Sequence, residues 1–247
     1  MKISLSDCNF KLRHILFFGI PKTRPVIKEI LPHTKSAFTQ GLDFSDGALY
    51  ESTGLKEHSS LRRINPATGE VEVIKSLQGH WGEGIANLRG EIVQLTWQSG
   101  KAIVYKADTL EVISEYQFTG EGWGLAPLPD GFLMTDGTEN LYFRDANFNL
   151  LTTKRTKLRG IPWRWLNDIT YVDGKVYANR LADSNIYQIC AKTAKVTGII
   201  DCSELVKMCP SNDSEHVLNG IAFNEDNGDF YLTGKCWEHL FRVDISF

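Results

Sequence analysis

No apolar run in the 247 residues is long enough to cross a membrane. The longest near the start is Ile15-Leu16-Phe17-Phe18-Gly19-Ile20, where a span needs about 20 residues and a signal-peptide core about 7–15. A soluble protein without a clear export signal is expected, with cytoplasm and an exported location both left open. The five cysteines (Cys8, Cys190, Cys202, Cys209, Cys236) contain no Cys-x-x-Cys pair. Their odd number and spacing argue against a zinc site and a full disulfide framework, leaving Cys202–Cys209 as one candidate bridge among buried or free thiols. The histidines (His14, His33, His58, His80, His216, His239) show no zinc spacing either, and His80 reads as a surface or packing residue. Charge of one sign is not in excess: 27 Lys+Arg against 30 Asp+Glu leaves a net −3. Recognition of nucleic acid or anionic lipid through a basic surface is therefore not expected. No low-complexity linker or long amphipathic helix divides the chain.

What is present is a repeat. A polar or aromatic residue, then Gly (once Asp), an aliphatic residue, a turn and a second extended run recur at Gln40-Gly41-Leu42, Glu83-Gly84-Ile85, Trp123-Gly124-Leu125, Asn167-Asp168-Ile169 and Asn219-Gly220-Ile221. Their spacings of roughly 43, 40, 44 and 52 residues are those of propeller blades. The turns Asp46-Gly47, Arg89-Gly90, Asp130-Gly131, Asp173-Gly174 and Asn227-Gly228 place a glycine at nearly the same offset, where chain reversal needs positive φ. A second hairpin follows each of the first four, as in Leu61–Ile64 and Val71–Ile74, giving four strands per blade. The last unit lacks its outer strand, and Pro25–Leu31 stands unassigned before the first. The sequence thus predicts a single five-bladed β-propeller over residues 25–247, closed by the N-terminal strand, with residues 1–24 as an extension. Cys202–Glu215 is the largest insertion and is expected to carry a short helix.

In an antiparallel hairpin the residue that begins the first strand and the residue that ends the second lie at the same end of the sheet. Gln40, Glu83, Trp123, Asn167 and Asn219 should therefore share one mouth of the central channel with Ser52, Thr96, Trp97, Asp136, Asn179, Thr233 and Lys235. Glu83 is the only acid among the five leading positions and is expected between Trp81, Trp97 and Trp123. A carboxylate so desolvated must be paired, metal-bound or partly protonated, and such groups collect at functional sites.

At these residues the chain resembles the plant-type and bacterial glutaminyl-peptide cyclotransferase (glutamine cyclotransferase) family. The resemblance runs in order through Ala37-Phe38-Thr39-Gln40-Gly41-Leu42, Tyr50-Glu51-Ser52-Thr53-Gly54, Gly82-Glu83-Gly84-Ile85, Gln94-Leu95-Thr96-Trp97, Gly122-Trp123-Gly124-Leu125, Thr135-Asp136-Gly137, Leu166-Asn167, Tyr177-Ala178-Asn179, Leu218-Asn219-Gly220 and Thr233-Gly234-Lys235. It implies a five-bladed propeller, a catalytic Glu at Glu83, and binding-site Gln, Trp, Asn and Lys at Gln40, Trp123, Asn167 and Lys235. Two segments depart from it. Leu166-Asn167-Asp168-Ile169-Thr170 stands for the usual Leu-Asn-Glu-Leu-Glu, and Ala178-Asn179-Arg180-Leu181 for Ala-Asn-Val-Trp. Trp163 and Trp165 are candidates to refill the missing aromatic wall.

The reaction so implied is attack of a peptide's N-terminal amine on its own glutamine side-chain amide, closing a lactam and releasing ammonia. Being intramolecular, it asks mainly for orientation and for one proton to move between the two nitrogens. Glu83, Asn167 and Lys235 are expected to carry the chemistry; Gln40, Trp97, Trp123, Asp136, Asn179 and Asn219 are expected to bind substrate. No metal or cofactor is expected, and the partner is a peptide or protein with N-terminal glutamine, met by a monomer. Two other readings stay open: a metal-dependent propeller hydrolase holding an axial cation with Glu83, Asn167, Asn219 and Asp136, and a non-catalytic peptide-binding propeller.

Overall fold

The computed structural model describes residues 19–247. Cys8, His14 and most of the expected N-terminal extension lie outside the described residues. The chain forms an all-β propeller with four-stranded blades. From the inside outwards the sheets run Thr39–Ser45, Ala48–Thr53, Ser60–Ile64, Val71–Ser76; then Gly82–Leu88, Glu91–Thr96, Lys101–Lys106, Val112–Gln117; then Leu125–Leu128, Gly131–Met134, Asn140–Asp145, Leu150–Arg155. Next come Leu166–Val172, Lys175–Arg180, Asn185–Cys190 and Lys195–Asp201. The short strands Lys22–Thr23 and Lys157–Leu158 extend that sheet in parallel. In the last sheet Leu218–Asn224, Asp229–Gly234 and His239–Asp244 are followed by Val26–Pro32, with Ile27 opposite Val243 and Leu31 opposite Leu240.

Alternation along the inner strands supplies the core, because each sheet buries apolar residues on both faces against its neighbours. Tyr50 and Leu61 pack with Ile85, Ile92 and Tyr105 in one seam. Val93, Leu95 and Val104 pack with Phe132, Met134 and Phe148 in the next. The outer strands are half solvated, as the exposed Ile74, Val112 and Leu151 show. Asp46-Gly47, Arg89-Gly90 and Asp173-Gly174 take positive φ at both turn positions, as the hairpin register requires. Gly131 departs from that expectation: its φ is not positive, and a Cβ there would lie 2.1 Å from the Arg144 carbonyl oxygen, so this glycine serves close strand approach rather than reversal. The insertion carries the expected short helix, Ser203–Met208. Cys202 and Cys209 flank it as free thiols, against the candidate bridge.

The innermost strands are bulged where the repeat residues sit. Register shifts fall between Thr39 and Gly41, Gly82 and Ile85, Leu166 and Ile169, and Leu218 and Ile221. A bulge re-aims the side chain it carries, and here it frees Gln40, Glu83, Asn167 and Asn219 from the ladder. In the third sheet the strand begins only at Leu125, leaving Trp123 outside it. Small residues beside these bulges let neighbouring strands meet. At Gly124 a Cβ would come within 2.0 Å of the Asn167 carbonyl oxygen. The one non-glycine in this series, Asp168, is fully buried, and its Oδ2 accepts from the backbone N–H of Leu42 at 3.1 Å and of Ile221 at 2.8 Å. Its side chain thus ties three sheets together beneath the channel mouth.

Candidate active site

A cavity of about 370 Å³ opens at this mouth and is lined by Gln40, Glu83, Trp97, Trp123, Asn167 and Lys235. Phe38, Trp81, Leu181, Ala182, Ser214, Glu215 and Val217 complete it. Glu83 is 5% exposed and Lys235 6%. Gln40 donates from Nε2 to Glu83 Oε1 at 3.0 Å, and Asn219 holds Gln40 in turn, donating from Nδ2 to Gln40 Oε1 at 3.4 Å and to the Thr39 carbonyl at 2.9 Å. Desolvation raises the Glu83 carboxyl well above the usual carboxylate range; the Lys235 ammonium opposes this, while Glu121 and Asp168 reinforce it. Burial in turn lowers Lys235, with Glu83 and Glu215 pulling the other way. Lys235 Nζ lies 4.6 Å above the Phe38 ring. Asn167 is fixed through its backbone, its carbonyl accepting from Thr135 Oγ1 at 3.0 Å. The Asn167 Oδ1 is buried and has no hydrogen-bond partner among the described residues. The site therefore presents a carboxyl whose proton affinity burial raises, an ammonium and an unspent amide oxygen inside an aromatic box.

The aromatic walls are set from outside the cavity. Glu121 Oε2 accepts from Trp97 Nε1 at 2.9 Å and from Trp123 Nε1 at 3.0 Å, and Gln98 Nε2 donates to Oε1 at 2.9 Å. Trp81 meets Trp97 at 5.5 Å between ring centroids and 60° between planes, and Phe38 meets Trp81 edge-on at 6.0 Å. Glu121 escapes a search by repeat position because Gly120-Glu121-Gly122 copies the Gly-Glu-Gly of Gly82–Gly84 two residues out of phase. Its alignment is with Trp81. The Glu121→Ala variant, which strands two indole N–H groups, is expected to raise KM about tenfold with a smaller change in kcat, since it loosens substrate contact more than proton transfer. Steady-state kinetics on the wild type and variant check this.

Three residues expected to bind substrate do not line the cavity. Asp136 is spent on its own loop, accepting from the Thr138 backbone N–H at 3.0 Å and from Tyr142 Oη at 2.7 Å. Asn179 is fully buried and accepts from the Gly220 N–H at 3.1 Å. Asn219 acts one layer back through Gln40. Trp163 and Trp165 do not refill the wall: Trp163 packs on Tyr187, and Trp165, half exposed, packs on Trp123 at 6.2 Å. Leu181 itself lines that side. Among the described residues no group of three or more His, Cys, Asp or Glu could hold a metal ion.

The glutamine cyclotransferase family profile matches residues 11–245. The chain belongs to that family. It is 31% identical over 221 residues to a glutaminyl-peptide cyclotransferase of Arabidopsis thaliana, covering 87% of this chain and 69% of the plant protein. The crystal structure of a glutaminyl cyclase from Myxococcus xanthus superposes with a TM-score of 0.87 at 31% identity, over 92% of this chain and all of that one. The WD40 propeller domain of Doa1, at 11% identity and a TM-score of 0.50 over 83% of this chain and 63% of that one, shares the fold alone. Within the glutamine cyclotransferase family, the departure at Asp168 falls on a strand tie below the cavity, and the departure at Leu181 falls on the cavity wall itself.

Proposed function

We propose that this protein converts the N-terminal glutamine of peptides to pyroglutamate and releases ammonia, with Glu83 as the proton carrier. The observation that carries the reading is the buried Glu83 carboxyl, held by Gln40 beside Lys235 within tryptophan walls. The substrate's neutral α-amine attacks the side-chain carbonyl carbon: a C–N bond forms, and the carbonyl oxygen gains negative charge. Glu83 takes the proton lost by the attacking nitrogen and returns it to the leaving amide nitrogen, which departs as ammonia when its C–N bond breaks. Lys235 donates to the developing oxyanion. Asn167 Oδ1 accepts from the α-amine and aims its lone pair, while Trp97 and Trp123 confine the methylenes in the folded-back conformation that closes a five-membered ring. A carboxyl raised well above its ordinary range suits the task, because it must both accept the proton and give it back.

The deciding experiment is incubation with a Gln-initiated dipeptide, following ammonia and the mass of the peptide. Stoichiometric ammonia and cyclised peptide are expected. Peptide binding without ammonia would make the protein a binding propeller and overturn the enzymatic reading.

The same reading takes the ring as five blades over residues 25–247, closed by the N-terminal strand. Support comes from the pairing of Val26–Pro32 with His239–Asp244, from buried Leu31, and from ion pairs of Lys28 with Asp229 and of Glu29 with Arg242 at 3.2 Å. The inner strands Thr39–Ser45 and Leu218–Asn224 also lie side by side. Deleting residues 1–32 is expected to abolish a single cooperative melting transition, whereas deleting 1–20 should leave it in place. An unchanged melt in the longer deletion would count against closure.

A further inference from the structure

Behind Lys235 lies a buried polar cluster that the chemistry above does not use. Lys235 sits on the turn that joins Asp229–Gly234 to His239–Asp244. His33 grips this turn twice and the strand leading into it once. Its backbone N–H donates to the Glu238 carbonyl at 3.0 Å; its Nδ1 lies 2.8 Å from the Trp237 carbonyl oxygen and 3.4 Å from Thr233 Oγ1. Its Nε2 lies 2.8 Å from Glu51 Oε1. Both side chains of that last pair are almost wholly buried.

Proton counting decides the state of the ring. A carbonyl oxygen can only accept, so Nδ1 must carry hydrogen. Thr233 Oγ1 agrees, since it already donates to the His239 carbonyl at 2.8 Å. Glu51 is ringed by donors: Thr39 Oγ1 at 2.7 Å on Oε1 and Arg62 Nη1 at 3.4 Å on Oε2. Such a carboxylate is ionised, and burial notwithstanding, His33 and Arg62 hold it below the usual carboxylate range. Nε2 must then carry hydrogen too. We propose that His33 acts as an imidazolium and is a positioning residue for Lys235, bracing the Gly234–Glu238 turn from behind by donating one ring proton to the Trp237 carbonyl and the other to Glu51. The inference rests on the cyclase reading only for its kinetic consequence.

Other charged and titratable groups near the ring do not replace the second proton. Arg62 opposes it, the Cys236 thiol is itself raised by burial and feels Glu51, and Glu238 turns outward to Lys35 at 2.8 Å. The net effect on His33 is an upward shift, in which the Glu51 charge and hydrogen bond and the Trp237 carbonyl outweigh desolvation. The brace is therefore complete below the ordinary histidine range and is lost as pH rises through the folded value. A neutral ring can donate to only one of its two acceptors. The Glu51→Gln variant restores both bonds to a neutral ring, because the new amide donates to Nε2 while Nδ1 still donates to Trp237.

The test is nitrogen NMR of the histidine rings in the full chain, combined with kinetics across the pH range over which the NMR shows His33 losing its second ring proton. In the wild type both His33 nitrogens should be protonated at pH 7, and in Glu51→Gln only Nδ1. The ratio of wild-type to Glu51→Gln kcat should fall about tenfold across that range, the worth of one charge-assisted hydrogen bond under the turn. A neutral His33 in the wild type at pH 7 would overturn the proposal without touching the cyclase reading, and so would a constant ratio. If neither protein turned over Gln peptides, the cyclase reading would fail while the NMR still decided the brace.

Discussion

Replacing Glu83 by Gln is expected to lower turnover by roughly 10²–10⁴-fold, the usual worth of general acid–base catalysis, while leaving peptide affinity much less affected. The substitution keeps the side chain's size and an oxygen able to accept from Gln40 Nε2, the bond now 3.0 Å long. What it removes is the ability to take up and return a proton. It also removes a buried ionisable group whose pKa lies well above the usual range, so the folded state should be no less stable at neutral pH than the wild type. The pH profile gives a second reading. Because desolvation outweighs the Lys235 charge, the acid limb of wild-type kcat should fall above the ordinary carboxylate range; Lys235→Met, which removes the opposing charge, should move that limb higher still. Steady-state kinetics with melting curves as the folding control decide the matter. A well-folded Glu83→Gln variant that keeps more than about a tenth of wild-type turnover would sink the assignment of Glu83 as proton carrier.

Repeat phase alone located most of the cavity, and its limits are physical. Gln40, Glu83, Trp123 and Asn167 could be placed at one mouth because every hairpin starts there, and Trp97 and Lys235 because every second strand ends there. Phase says which end of the channel a residue occupies, not which way its side chain turns. Asn179 and Asp136 share the phase, yet one is consumed by the Gly220 N–H of the next sheet and the other by Thr138 and Tyr142. Glu121 shows the converse. It stands out of phase with Glu83, yet it orients two walls of the site, and only the doubled Gly-Glu-Gly pattern hinted at it. Asp168 read in the sequence as a departure from the family pattern, and nothing in its spacing showed that its carboxyl would accept from the Leu42 and Ile221 backbone N–H groups of two other sheets. Nor could spacing show that His33 and Glu51, 18 residues apart, meet under the Lys235 turn.

Stability should fall as pH rises from about 4 to 7, because carboxyls buried in the channel hold their protons in the folded state. Asp43 is the clearest case. It is 6% exposed, at the channel mouth opposite Glu83, where Asp46, Glu225 and Asp226 also line the cavity. Burial pushes its carboxyl from 3.8 up to about 7, against the bond that its Oδ2 accepts from the Asn87 N–H at 2.7 Å. Below pH 4 both folded and unfolded chains carry this proton, and nothing is lost. Between the two values the unfolded chain gives up the proton while the folded chain keeps it, which costs about 1.4 kcal/mol of stability per pH unit and about 4 kcal/mol by pH 7. Asp168 adds to the loss in the same direction, its carboxyl also raised well above the usual range by burial. The Asp43→Asn variant cannot ionise and still accepts from Asn87, so it should match the wild type near pH 4 and exceed it by several kcal/mol near pH 7.5. His33 contributes a further decline above its ordinary range, but it does so equally in both proteins and drops out of the difference. Urea unfolding of the pair at pH 4.5, 6 and 7.5 measures that difference directly. A gap that stayed constant across the three values would mean that Asp43 ionises as freely in the folded protein as in the unfolded one, and that the far mouth of the channel is wet enough to bear the charge.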